Sequence, residues 1–170
     1  GDKPNNDIAY IGALRYDVSY DLGYQEGHEV FASLTGYGSD QVQLDALDLG
    51  SFSAEIGTRI RGGYWMLTPT LSQTAQSLSR EKYLTARTGR LRLDWNVRPF
   101  FNLNGDISYS DERYQNTSES SALRLHSGQR YGTRLGSNYT WTPNNRTTFN
   151  LFAGKKGAAR NYYSYDSLSG

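Results

Sequence analysis

The chain contains no cysteine. Disulfides, zinc–thiolate sites and thiol nucleophiles are therefore excluded. It has two histidines, His28 and His126, far apart in sequence, which does not suggest a histidine-based metal site. Asp40, Asp45 and Asp48 are acidic neighbours, but their spacing matches no calcium loop. Gly62-Gly63 reads as a hairpin turn, and no glycine-rich phosphate cradle is present. No cofactor is expected. A formal net charge of +1 lacks the concentrated basic surplus of a nucleic-acid binder, so no nucleic-acid partner is expected. Gly1 to Asp7 has neither the basic nor the apolar region of a signal peptide.

Long hydrophobic runs are missing as well. Only 36% of the 170 residues are hydrophobic, and no stretch approaches the roughly 18 consecutive apolar residues of a membrane-spanning helix. What the chain does have is aromatics, 14% of its residues, including 14 tyrosines. Disordered chains are poor in these. Apolar residues stand singly among Ser, Thr, Asn, Gly and charges, as in strands with one apolar side and no thick core.

The period of that alternation is two. Ile8, Tyr10, Gly12, Leu14, Tyr16, Val18, Tyr20 and Leu22 share one parity, while Arg15, Asp17, Ser19 and Asp21 occupy the other. Side chains two apart share a face of a strand. The pattern recurs: Val30, Ala32 and Leu34; Phe52, Ala54, Ile56 and Ile60; Leu91, Leu93, Trp95 and Val97; Leu103, Ile107 and Tyr109; Leu123, Leu125, Tyr131, Leu135, Tyr139 and Trp141; Phe149, Leu151 and Ala153. Each set is interleaved with polar residues. The stretch from Tyr64 to Ser77 alternates less cleanly and holds Pro69, which predicts a bulge or bend there.

Several runs reach the about 9–11 residues that a tilted strand needs to cross a bilayer. Tyr64, Trp95, Tyr109, Trp141 and Tyr162 are read toward strand ends, where membrane barrels carry aromatic girdles. Connections are expected to alternate in kind. Gly23 to Gly27, Arg61 to Gly63, Arg98 to Phe100 and Pro143 to Asn145 read as tight. Gly38 to Gln43, Gln76 to Lys82, Asp111 to Ser121 and Lys155 to Asn161 read as longer and more polar. Short turns at one end and long loops at the other are the habit of outer-membrane barrels.

The expected fold is thus all-β: an antiparallel up-and-down transmembrane β-barrel located in the outer membrane of a Gram-negative bacterium. Residues 1–170 form a single segment of eight strands with a ninth starting at Tyr162. By this reading the segment is incomplete at both ends and comes from a larger barrel. A whole eight-stranded barrel is the competing reading, and a soluble β-sandwich or adhesin domain is a third.

Candidate chemistry is sparse. His126 and Ser127 are adjacent, so on a strand His126 would face the lumen and Ser127 the lipid; a working pair needs spacing of two. No catalytic triad results, and the chain is not expected to be an enzyme. The polar parity supplies a set of lumen-lining candidates: Arg90, Arg92, Asp94, Asp106, Arg124, His126, Arg130 and Arg134. They read either as a basic lining that attracts anions through a pore or as an ion-pair network that braces the wall.

From Leu44 onward the chain resembles the C-terminal barrel of the surface lipoprotein assembly modifier family. The resemblance lies in Leu44-Asp45-Ala46-Leu47-Asp48-Leu49, Gly57-Thr58-Arg59, Leu67-Thr68-Pro69-Thr70-Leu71-Ser72, Leu103 to Ser110, and Tyr163-Ser164-Tyr165-Asp166-Ser167-Leu168. It implies a periplasmic repeat domain ahead of this stretch, a barrel of roughly fourteen strands and export of lipoproteins to the cell surface. Outer-membrane lipid, a lipoprotein cargo and the barrel-assembly machinery are then the expected partners. A passive porin or a polysaccharide-export pore is the alternative within the same class.

Overall fold

The computed structural model describes residues 9–41, 48–117, 126–142 and 145–158. Eight strands make up this stretch: β1 (Ala9–Asp21), β2 (Glu29–Gln41), β3 (Leu49–Arg61), β4 (Trp65–Leu78), β5 (Glu81–Arg98), β6 (Phe101–Tyr114), β7 (Gly128–Thr142) and β8 (Asn145–Ala158). They pair in sequence order, every neighbour antiparallel, as one up-and-down sheet. The fold is all-β. Among the described residues the sheet is not closed, and β1 and β8 are its two edges. Arg124, the ninth strand expected from Tyr162 and most of the Asp40–Asp48 acidic stretch lie outside the described residues.

The strands are long, from 13 to 18 residues, against the roughly 5–6 usual in soluble sheets. No hydrophobic residue is buried among those described. Leu71, Ile107 and Phe52 are 67%, 57% and 53% exposed. The period-two pattern thus produces two opposed surfaces without a core between layers. One carries Leu71, Leu93, Ile107 and Leu135, while the other carries Arg92, Asp106 and Arg134. Crowding is unequal: Ser110 and Glu112, on the charged face, are buried. The apolar face is splayed and the charged face compressed, as on the outside and inside of a curved sheet.

Three expectations are corrected here. Pro69 introduces no bulge into β4. The β3–β4 register is the same on both sides of it, with Gly57 opposite Thr70 and Ile60 opposite Leu67. Proline removes one ladder donor, and here the pairing resumes in the same register beyond it. The β4 irregularity falls instead between Gln76 and Ser77, against β5. The long loop expected over Gln76 to Lys82 is also absent. Ser77 pairs with Lys82 and Leu78 with Glu81, leaving a two-residue turn at Ser79-Arg80. Both residues have positive φ, 50° and 65°, the mirror-image turn that matches strand twist. Tyr109, expected near a strand end, sits within β6.

The other end of the sheet behaves as expected. β3 and β4 are joined through residues 62–64 and β5 and β6 through 99–100, while β7 stops at Thr142 and β8 begins at Asn145. The β1–β2 connection is closed by Leu22 N–H donating to the His28 carbonyl at 2.9 Å, with Gly23 and Gly27 at positive φ. Aromatic side chains collect at this end. Trp65 is the register partner of Trp95. Tyr139 meets Phe100 edge-on at 5.6 Å and Trp141 at 4.5 Å between ring centroids.

Candidate functional site

The charged face is the chemically distinctive surface, and strand register assembles it. One row across the sheet takes Arg92 of β5, Asp106 of β6 and Arg134 of β7 as successive partners. Asp21 of β1 and Glu29 of β2 are paired at the far side of the sheet, and Glu29 is paired with Arg59 of β3. Acid faces base on the next strand at Arg92–Asp106–Arg134 and at Glu29–Arg59, so these charges satisfy one another across the ladder, whereas Asp21 and Glu29 are like charges side by side.

The ion pairs are close. Arg134 Nε lies 2.9 Å from Asp106 Oδ2, a charge contact rather than a directed hydrogen bond. Arg92 grips Asp94 through two hydrogen bonds of 2.7 Å along β5. Glu29 receives both Arg59 and Arg61 from β3, the latter at 3.2 Å. Glu112 is approached by Arg130 at 3.2 Å and by Lys156 at 2.7 Å. On β1, Arg15 donates to Asp17 at 2.7 and 3.0 Å. Arg59 also lies over the Phe31 ring, 4.4 Å from its centroid. Phe31 in turn covers Gly57, where an added Cβ would meet the ring at 2.6 Å and the Pro69 carbonyl oxygen at 2.8 Å.

Of the sequence-predicted candidates, Arg90, Arg92, Asp94, Asp106, Arg130 and Arg134 stand on this one face of β5, β6 and β7. Arg92, Asp94, Asp106, Arg130 and Arg134 are all held in ion pairs. Arg90, between Thr70 and Ser108 in its row, makes none with a described residue. His126 is not on a strand: it precedes β7, exposed, with its ring 6.0 Å from that of Tyr114. Ser127 is likewise outside β7. Its Oγ accepts from the Tyr114 N–H at 2.8 Å and donates to the Tyr114 carbonyl. That hydroxyl is a backbone clamp for the connection, committed to two main-chain groups.

Sequence reasoning missed Glu29, Arg59, Arg61, Glu112 and Lys156. The first two carried the signal, since Glu29 and Arg59 already stand on the polar parity, whereas Arg61 reads as part of a tight turn. Glu112 and Lys156 were assigned to loops because β6 and β8 continue further than their apolar residues do.

No group of three or more His, Asp or Glu within reach of a metal occurs among the described residues. A concavity of about 740 Å³ lies on the apolar face between Leu71, Leu91, Ile107 and Tyr131. Gly89 leaves that gap between larger side chains. What the charged face can do chemically is present fixed, largely neutralised charge to water, with guanidinium groups at Arg90 and Arg146 that make no ion pair with a described residue. No family model, curated protein or solved structure matches the chain.

Proposed function

We propose that this chain forms part of the wall of an outer-membrane β-barrel that serves as a translocation pore or export scaffold. The apolar face meets lipid and the charged face lines a water-filled interior. One observation carries the reading: eight long antiparallel strands bury no hydrophobic side chain among the described residues, yet place most of their large apolar residues on one splayed face. In water such a surface is far larger than the few hundred Å² that a soluble monomer leaves exposed. Hydrocarbon removes the penalty. The internally paired charges suit a wall that must stay polar without drawing in lipid. Such a role needs no catalytic group. Export of a lipoprotein cargo rests on the family resemblance alone.

The test is fractionation of the protein from its host, followed by gel mobility of the outer-membrane fraction with and without boiling. A membrane-bound species whose mobility shifts on boiling supports a closed barrel. A soluble species with no shift overturns the reading in favour of a β-sandwich whose second layer covers the apolar face.

A further inference from the structure

The apolar face is not bounded by the rows of the sheet. Tyr16, Leu34 and Ala54 are successive register partners on β1, β2 and β3. The same row continues on β4 to β7 as Gln73, Arg87, Asp111 and Gln129. One line of side chains, all on one face, is apolar on one half of the sheet and polar on the other. On β5 the apolar run resumes only at Leu91, four residues beyond Arg87 toward the short connections.

The opposite boundary moves the same way. The row through Trp65, Trp95, Leu103 and Phe149 is apolar on β4, β5, β6 and β8. At that height β1 and β2 have already given way to their connection, since β1 stops at Asp21. The aromatic rim reaches further still on β6 and β7, to Phe101 and its partner Tyr139. Both edges of the apolar zone therefore climb together, by about one residue per strand. With a rise of about 3.3 Å per residue and about 4.8 Å between strands, that slope corresponds to about 35°.

We propose that the occupant of this face is the acyl core of a lipid bilayer, lying across the sheet as an oblique band. The strands cross it tilted by about 35° from the membrane normal. The inference rests on the barrel-wall reading and deepens it, because the tilt is written in the sequence independently of whether the sheet closes. A flat slab bounded by two parallel planes must cut tilted strands on a diagonal, and barrel strands tilt by about 35–45°. A second sheet would have to pack on the splayed face instead of the compressed one, and it has no reason to be rimmed by aromatic residues at one edge and Arg, Asp and Lys at the other. Trp65, Trp95, Phe101 and Tyr139 then mark one headgroup level. Arg87, Asp111 and Lys155 mark the other.

Absence of cysteine makes the test direct, because any introduced thiol is unique. Ile56, Leu71, Gly89, Tyr109, Tyr131 and Lys155 share one row. An environment-sensitive fluorophore is attached at Ile56→Cys, Tyr131→Cys, Lys155→Cys and Leu151→Cys, in the protein reconstituted into phosphatidylcholine vesicles. Quenching is compared between lipids labelled near the headgroup and lipids labelled deep in the chain. The expected result is strong deep quenching at Ile56 and Leu151, with headgroup-side quenching at Tyr131 and Lys155. Ile56 and Lys155 should differ in depth by about 14 Å. Equal depth for Ile56, Tyr131 and Lys155 overturns the oblique band while leaving the membrane reading standing. No lipid quenching at any of the four sites overturns both.

Discussion

Lys156 of β8 donates to Glu112 of β6 at 2.7 Å, reaching across β7 to do so. Arg130 of the intervening strand lies 3.2 Å from the same carboxylate. Strands two apart in a flat sheet are about 9.6 Å apart, so a direct contact is helped by the compression of this face. Glu112 is therefore a knot that fixes three strands, and its side chain is almost wholly buried.

Glu112→Ala should destabilise the protein by about 1–3 kcal/mol, because both cations lose their shared carboxylate. Lys156→Ala should cost less, about 1 kcal/mol or under, since Arg130 stays in place and Lys156 is partly exposed. Urea titrations of the two variants check the order. Equal losses would show that Arg130 contributes nothing to the knot.

The two faces of β5 make opposite demands. Leu93→Arg should cost about 2–4 kcal/mol in a bilayer, the penalty for a cation on the lipid side near mid-depth. Arg92→Leu, on the other face, should cost less, although it strips Asp94 of its donor. Unfolding measured in lipid vesicles ranks the pair. The reverse order would mean that lipid meets the charged face.

At Gly57 no side chain fits. A methyl group there would press on Phe31 and on the Pro69 carbonyl, and the latter is backbone that cannot swing aside. Gly57→Ala should lose about 1–3 kcal/mol by overpacking. Gly36→Ala, where an added Cβ meets nothing within 4 Å, is the control and should be close to neutral.

The Ser79-Arg80 turn holds two ordinary residues in the left-handed region. Ser79→Gly should stabilise the protein by about 1 kcal/mol, and Arg80→Val should destabilise it. The Arg80 contacts to Asp40 at 3.5 Å and Asp48 at 3.8 Å come from an exposed side chain, so they contribute little. Thermal midpoints of the two variants moving in the same direction would contradict this account.

That turn also shows where sequence reading stops. The left-handed turn is announced by Asn-Gly or Asp-Gly in most hairpins, and Ser-Arg carries no such announcement, so a long loop was expected where two strands run on to their tips. Leu91, Leu93 and Trp95 were legible as one face, and Arg90, Arg92 and Asp94 as the other, because a period of two is a property of the strand itself. The pairing of Asp106 with Arg134 was not legible, since register is set between strands. Glu112 and Lys156 were hidden for a related reason: beyond the apolar band the alternation loses contrast while the ladder continues. At Pro69 a missing donor does not entail an extra residue, so the register is unchanged across it.

On the proposed barrel-wall reading, the open edges of β1 and β8 have a consequence for the order of events in biogenesis. Each presents a row of main-chain N–H and C=O groups with no strand beside it among the described residues. In hydrocarbon every such group left unmet costs several kcal/mol. A bilayer therefore admits this sheet only as both flanks are being paired, which couples insertion in time to the arrival of neighbouring strands. An assembly partner that lends its own strand edge would act as a temporary selvage, guarding the seam until the permanent neighbour takes its place.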